Sequence, residues 1–205
     1  IVTEHDNSAA RTVARARGLP ILDLAPSVDA EAGIFQLGGR VEEIESAPAF
    51  AAPADTALVL HTSGTTSRPK IVPLTHANLC SSAANIAATL ALSAKDRCLN
   101  VMPLFHIHGL IGAVLSSISA GASVVCTRGF ERREFYQWLD TFRPTWYTSA
   151  PAIHQAVLAD APANRAIVER RQLRLIRSSS APLPAQVATA LEEVFQAPVI
   201  EAYSM

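Results

Sequence analysis

The sequence predicts an α/β fold of parallel-rich sheets with helical crossovers, and three observations predict it. Apolar runs of strand length, either of period two or unbroken, alternate with longer runs of helical period along most of the chain. Proline, glycine and small polar residues punctuate these runs where elements must end. Hydrophobic residues make up 49% of the 205 positions against 17% charged, enough apolar surface for a real core.

In order, Ile1–Thr3 and Pro20–Leu24 read as strands around a helix over 6–17 that Gly18 and Pro20 stop. Residues 26–55, rich in Ala, Pro, Gly and acids, read as a surface connection with little regular structure. Thr56–His61 reads as a short buried strand that runs into the polar loop TSGTTSRPK, and Ile71–Leu74 as the strand after it. Thr75 is placed to cap a long helix to Leu92, with Leu79, Ile86 and Leu90 at core spacing. Arg97–Met102 is a strand broken by Pro103; after PLFHIHG comes an apolar helix to Ala120 and then the strand ASVVC. Phe135, Trp138, Leu139 and Phe142 recur at i, i+3, i+4 and i+7, which sets an amphipathic helix that Pro144 ends. The strand TWYTS, a helix through HQAVL, the strand LRLIRS, a helix with Val187, Leu191 and Val194 inward, and the strand PVIEAY complete the series.

Several function classes are excluded by composition. A net charge of −1 and a pI near 6.7 offer no basic footprint for nucleic acid or an anionic membrane. The apolar stretch from Ile107 to Val125 is broken by Gly112, Ser116, Ser117, Ser119 and Gly121, the pattern of a buried helix and strand and not of a membrane span. The opening IVTEHDNS lacks the basic-then-apolar order of a signal peptide. Cys80, Cys98 and Cys126 are odd in number and widely spaced, so neither a disulfide framework nor a zinc site is encoded. All three read as buried small hydrophobes, and a reducing cytoplasm fits them. The chain begins at Ile1 and ends at Met205 directly behind a strand-like run, and the expectation is that both ends are cut from something longer. Apolar edges left by missing segments would make self-association of such a fragment an expected property.

The chemistry concentrates in one loop. Thr62, Ser63, Gly64, Thr65, Thr66 and Ser67 place five hydroxyls and a glycine directly after a strand, followed by Lys70. Gly64 admits close backbone approach, amides and hydroxyls donate to phosphate oxygens, and Lys70 adds a point charge. The spacing from Gly64 to Lys70 equals that of a Walker A loop, but Pro69 replaces its second glycine and Ile71 its magnesium-binding hydroxyl. A strand, not a helix N-terminus, is expected after Lys70. By composition alone a Ser/Thr-rich surface turn fits the same residues.

HTSGTTSRPK resembles the signature loop of the adenylate-forming superfamily, which includes acyl-CoA synthetases, luciferases and peptide-synthetase adenylation domains. PLFHIHG at 103–109 is similar to the family's second motif, whose aromatic and histidine border the acyl pocket. SSSAPL at 178–183 occupies the place of its adenine-contacting segment, and EAYSM at 201–205 matches the start of the motif whose aromatic lies against adenine. FHIHG, WYTSAPAIHQ, IRSSSAP and EAYSM together look most like oxalate–CoA ligases and their close relatives.

The resemblance implies a large N-terminal domain fragment of an AMP-forming acid–CoA ligase using ATP, Mg2+ and coenzyme A on a small carboxylic acid. Thr62, Ser63, Gly64, Thr65, Thr66 and Lys70 would hold the pyrophosphate portion, with Lys70, Thr65 and His106 catalytic. Ser179, Ser180, Ala181 and Pro182 would line the adenine side and Tyr203 would stack on the base. His106 is expected in the acid pocket; His108 reads equally as a pocket group or a packing histidine. Two residues apart, the pair is not expected to share a metal. Arg177 reads as a strand-end salt bridge more readily than as an anion partner, and Trp138 and Trp146 as core. Turnover by the 205-residue chain alone is not expected, because the resemblance places further catalytic segments outside it. The other readings are a non-catalytic nucleotide-binding or scaffold module, and a peptide-synthetase adenylation domain, disfavoured because no pocket Asp follows the second motif.

Overall fold

A computed structural model describes residues 2–3, 8–31, 33–39, 49–62 and 69–203. The chain divides into two units, Ile1–Phe50 and Ala51–Met205.

In the first unit β1 (Val2–Thr3) pairs in parallel with β2 (Asp23–Pro26), which pairs antiparallel with β3 (Phe35–Gly38). The crossover helix α1 (Ala9–Ala16) is capped by Ser8, whose hydroxyl accepts from the Arg11 amide at 3.4 Å. Arg11 reaches across to the carboxylate of Asp23 and ties the helix to β2. The expected helix was longer and the expected strand began earlier. Strand β3 falls inside the stretch expected to be irregular, and all four of its residues are exposed, so no burial pattern marks it.

The second unit opens with a hairpin of β4 (Thr56–Thr62) and β5 (Lys70–Thr75), antiparallel, with Leu60 opposite Val72 and Thr62 opposite Lys70. Thr56–His61 is therefore not a buried strand: its residues are half-buried or exposed, in a sheet that has two strands among the described residues. The strand expected after Lys70 is present. Helix α2 (His76–Thr89) starts in a capping box, Thr75 Oγ1 accepting from the Asn78 amide at 3.2 Å and Asn78 Oδ1 accepting from the Thr75 amide at 3.0 Å. Its buried face is Ala83 and Ala87 with Leu90 just beyond; Leu79 and Ile86 are half-buried.

The core of this unit is a five-stranded, all-parallel sheet, in order β10 (Val199–Glu201), β9 (Leu175–Ser178), β8 (Trp146–Ser149), β6 (Arg97–Asn100), β7 (Ser123–Cys126). Between β6 and β7 the chain forms α3 (Ile107–Gly109), a π-helical segment (Leu110–Leu115) and α4 (Ser116–Ser119), against which α2 packs. The remaining helices are α5 (Phe135–Phe142), α6 (Pro151–Asp160), α7 (Arg165–Arg170) and α8 (Ala185–Phe195).

Period two sorts the strands onto two faces. Leu99, Tyr147 and Ile176 enter one cluster with Phe135, Leu139, Val157, Val187, Leu191 and Phe195. Their neighbours Cys98, Trp146 and Leu175 enter another with Leu90 and Ala113. Burial on both faces is why these strands read as unbroken apolar runs. Trp146 is core as expected, while Trp138 is half-buried and Phe142 exposed. Cys98 alone of the thiols is buried; Cys80 and Cys126 are exposed, a correction to the expectation that all three pack inside. Among the described residues no helix is long and apolar enough to cross a membrane.

Candidate functional site

From β6 the chain moves outward to β7, then returns to the other side of β6 for β8, β9 and β10. Such a reversal leaves a crevice at the carboxyl ends of the central strands, where open α/β sheets take ligands. The segments leaving those ends carry four of the residues singled out in the sequence: His106 and His108 after β6, Ser179 and Ser180 after β9. They converge on one cavity of about 110 Å³, lined also by Ser82, Ile86, Ile111, Gly112 and Arg177. Larger depressions of about 490, 430 and 500 Å³ lie elsewhere on the surface, lined by none of the candidate residues. The one of about 430 Å³ holds the buried Asp96, whose carboxylate is already taken by Ser93, Thr145 and Arg174.

His108 is buried between two hydroxyls, Nδ1 2.9 Å from Ser180 Oγ and Nε2 2.6 Å from Thr148 Oγ1. Thr148 Oγ1 also accepts from Arg177 Nη1 at 3.3 Å. A guanidinium only donates, and Thr148 is fully buried, so its own hydrogen has His108 Nε2 as its acceptor. That assigns the proton of the neutral imidazole to Nδ1, which donates to Ser180 Oγ and leaves the Ser180 O–H as a donor toward the cavity. Burial, and then the positive charge of Arg177, push the His108 pKa down to about 3, so the ring stays neutral at physiological pH. Ser180 itself holds φ of 79°, a left-handed backbone that costs a non-glycine residue about 1 kcal/mol or more. Strain of this kind is retained where a side chain has a task.

His106 sits at the exposed rim, as the N-cap of α3, its Nδ1 accepting from the His108 amide at 3.1 Å. Both histidines thus reach the cavity, His108 as its buried wall and His106 as its edge. Ser179 is buried, and its amide donates to the Ser149 carbonyl at 3.1 Å, pinning the segment after β9 to β8. Ala181 and Pro182 follow, exposed, and Tyr203 beyond β10 is 87% exposed. Ser63, Gly64, Thr65, Thr66 and Ser67 lie outside the described residues; Thr62 and Lys70 are the paired ends of β4 and β5 that flank them, and Lys70 is exposed. Among the described residues no group of three His, Cys, Asp or Glu converges on a metal position, and no carboxylate lines the cavity.

The residue that sequence reasoning misplaced is Arg177. Expected at a strand-end salt bridge, it is 8% exposed and forms no salt bridge among the described residues. The signal was available: a cation in the middle of LRLIRS, a run otherwise patterned for burial on both faces, must meet either an anion or a ligand. Thr148, two positions after Trp146 on the same face, was readable by the same period.

A family model described as AMP-binding enzyme matches residues 2–205. The oxalate–CoA ligase of Arabidopsis thaliana is 49% identical over 155 residues, 75% of this chain and 30% of that one. The oxalate–CoA ligase of Saccharomyces cerevisiae is 44% identical over 158 residues, 77% of this chain and 28% of that one. A malonyl-CoA ligase in a ternary product complex with methylmalonyl-CoA and AMP bound superimposes with a TM-score of 0.69 at 27% identity, covering 82% of this chain and 35% of that one. The chain spans less than a third of the two oxalate–CoA ligases.

Proposed function

The chain belongs to the AMP-binding enzyme family, and from that premise we propose that it is the nucleotide- and acid-binding part of an ATP-dependent, AMP-forming acid–CoA ligase. The observation that carries the reading is the cavity at the carboxyl ends of β6, β8 and β9, where neutral His108, Ser179, Ser180 and Arg177 meet at the reversal of the sheet. In this reading a substrate carboxylate attacks the α-phosphorus of ATP and expels pyrophosphate; the coenzyme A thiolate then attacks the acyl carbon and expels AMP. Charge moves onto phosphate oxygens in the first step, so aligned donors and cations do most of the catalytic work.

Thr62, Ser63, Gly64, Thr65, Thr66 and Lys70 are assigned the pyrophosphate portion, supported by their hydroxyl-rich composition and by the pairing of Thr62 with Lys70 at the two ends of the loop. Ser179, Ser180, Ala181 and Pro182 are assigned the adenine side with Tyr203 as a stacking face, and His106 the edge where acid and nucleotide meet. Lys70, Thr65 and His106 are assigned the catalytic roles. Mg2+ would arrive with the triphosphate; the described residues supply no ligand set for it, and no step here runs through it. Three free thiols agree with a cytoplasmic setting, and the exposed Val59, Ile71 and Phe105 with self-association of the chain when produced alone.

The test is product analysis with the protein at its full gene-encoded length, supplied with ATP, CoA and a panel of small acids. Acid-dependent release of AMP together with an acyl-CoA is the expected result. ADP as product, or nucleotide cleavage indifferent to added acid, overturns the reading.

A further inference from the structure

Arg177 is a buried cation with almost nothing to answer it. Of the five N–H donors a guanidinium offers, one hydrogen bond is made by the side chain among the described residues, from Nη1 to Thr148 Oγ1 at 3.3 Å. Thr148 is neutral, and the nearby His108 is held neutral by its burial and then by the same charge. Removing an arginine from water without an anion costs several kcal/mol, which a fold tolerates where a ligand supplies the missing charge.

The surroundings are shaped to leave this guanidinium room. It lies over Gly112 in the π-helical segment, where an added Cβ would stand 3.0 Å from Nη1 and 3.6 Å from Cζ and Nη2. Any larger residue there would press on the fork. A π-helical turn is itself a costly local geometry found mostly at working sites. The cavity it faces, at about 110 Å³, equals three to four waters at ~30 Å³ each. It accommodates a headgroup of a few heavy atoms, not an acyl chain.

We propose that Arg177 is the specificity-determining residue of the acid pocket, receiving the second acidic group of a two- or three-carbon dianionic acid while the first carboxylate reacts. This rests on the ligase reading above and names its substrate class. The reacting carboxylate cannot be Arg177's partner, because a carboxylate held by both oxygens in a buried fork is neither free nor nucleophilic enough to attack phosphorus. A second anion can stay paired through both steps. Ser180, its O–H turned to the cavity, supplies the accompanying neutral donor.

The experiment measures AMP formation and direct acid binding by calorimetry for the full-length protein, using oxalate and malonate against acetate and propionate. The variants are Arg177→Leu, Arg177→Lys and Gly112→Ala, each checked for an unchanged circular-dichroism spectrum. Wild type is expected to favour the diacids by about 100-fold in kcat/KM, the scale of one buried charge pair. Arg177→Leu raises KM for diacids by about that factor and for monoacids by far less, Arg177→Lys restores part, and Gly112→Ala gives a smaller rise of about tenfold. Equal losses on mono- and diacids, or a wild type that favours monoacids, overturn the assignment of Arg177 while the ligase reading stands. Oxalate binding lost in Arg177→Leu, in a protein that forms AMP from no acid, supports Arg177 as an anion receptor and overturns the ligase reading instead.

Discussion

The carboxyl edge of the parallel sheet and the β4–β5 hairpin carry the two halves of the proposed chemistry, and they are built in opposite ways. At the sheet edge each polar group of the His108 relay is held by a strand or by a segment pinned to one, and Thr148, His108, Ser179 and Arg177 are all buried. The hairpin has two strands among the described residues and exposes Val59, Ile71 and Lys70. A two-stranded sheet is marginal by itself. The difference teaches that the groups proposed to select the acid sit in rigid packing, whereas those proposed for phosphate flank a hairpin with fewer supports.

The contrast breaks most visibly at Tyr147. It is fully buried in β8, stacks edge-on with Phe135 at 5.2 Å, and shares a hydrogen bond of 3.0 Å with His154 Nδ1. Tyr147→Ala is expected to destabilise the unit by about 3–5 kcal/mol in urea unfolding, since it opens a cavity and strands a buried partner. A loss under 1 kcal/mol would show that the sheet edge is not the rigid half.

Acid sharpens the comparison next. Burial holds His108 neutral to about pH 3 and His154 to about pH 4, against an ordinary imidazole value of 6.5. Above that value neither folded nor unfolded chain carries the proton, and stability is flat. As pH falls from 6.5 the unfolded chain binds protons the folded one refuses, so stability drops, by on the order of 2 kcal/mol per histidine at pH 5. Carboxylates titrate lower, so the window between pH 6.5 and 5 isolates the imidazoles. Identical urea midpoints at pH 7.5 and 5 would contradict the neutral relay.

The smallest effect belongs to the hairpin. Lys70→Ala is expected to weaken ATP binding about tenfold by calorimetry, a lost charge-assisted contact, with the melting temperature unmoved because Lys70 is exposed. A lowered melting temperature would make Lys70 a structural residue and erase the contrast.

The parallel sheet was legible because burial on both faces writes unbroken apolar runs, and every strand from 97 onward was found at its run. The hairpin was misread for the complementary reason: TALVLH is as apolar as a central strand, and nothing local says how many neighbours a strand will have. Strand β3 was missed because four exposed residues carry no period. The motifs picked out His106, His108, Ser179 and Ser180, which line one cavity, but not their linkage, since hydrogen bonds to Thr148 span 40 positions from His108 and 29 from Arg177. Gly112 gave no local sign at all; only the guanidinium above it explains the missing side chain.

Strand β9 sends Leu175 and Ile176 into the cores on its two faces and then presents Arg177 to the cavity. The coordinate of the guanidinium is therefore inherited from the ladder to Val199–Glu201 and Trp146–Ser149, not from a loop. For protein engineering this makes position 177 a socket with a fixed address: if the proposed role holds, exchanging the side chains at 177 and 112 as a matched pair would change the acid admitted without redrawing the backbone that presents them.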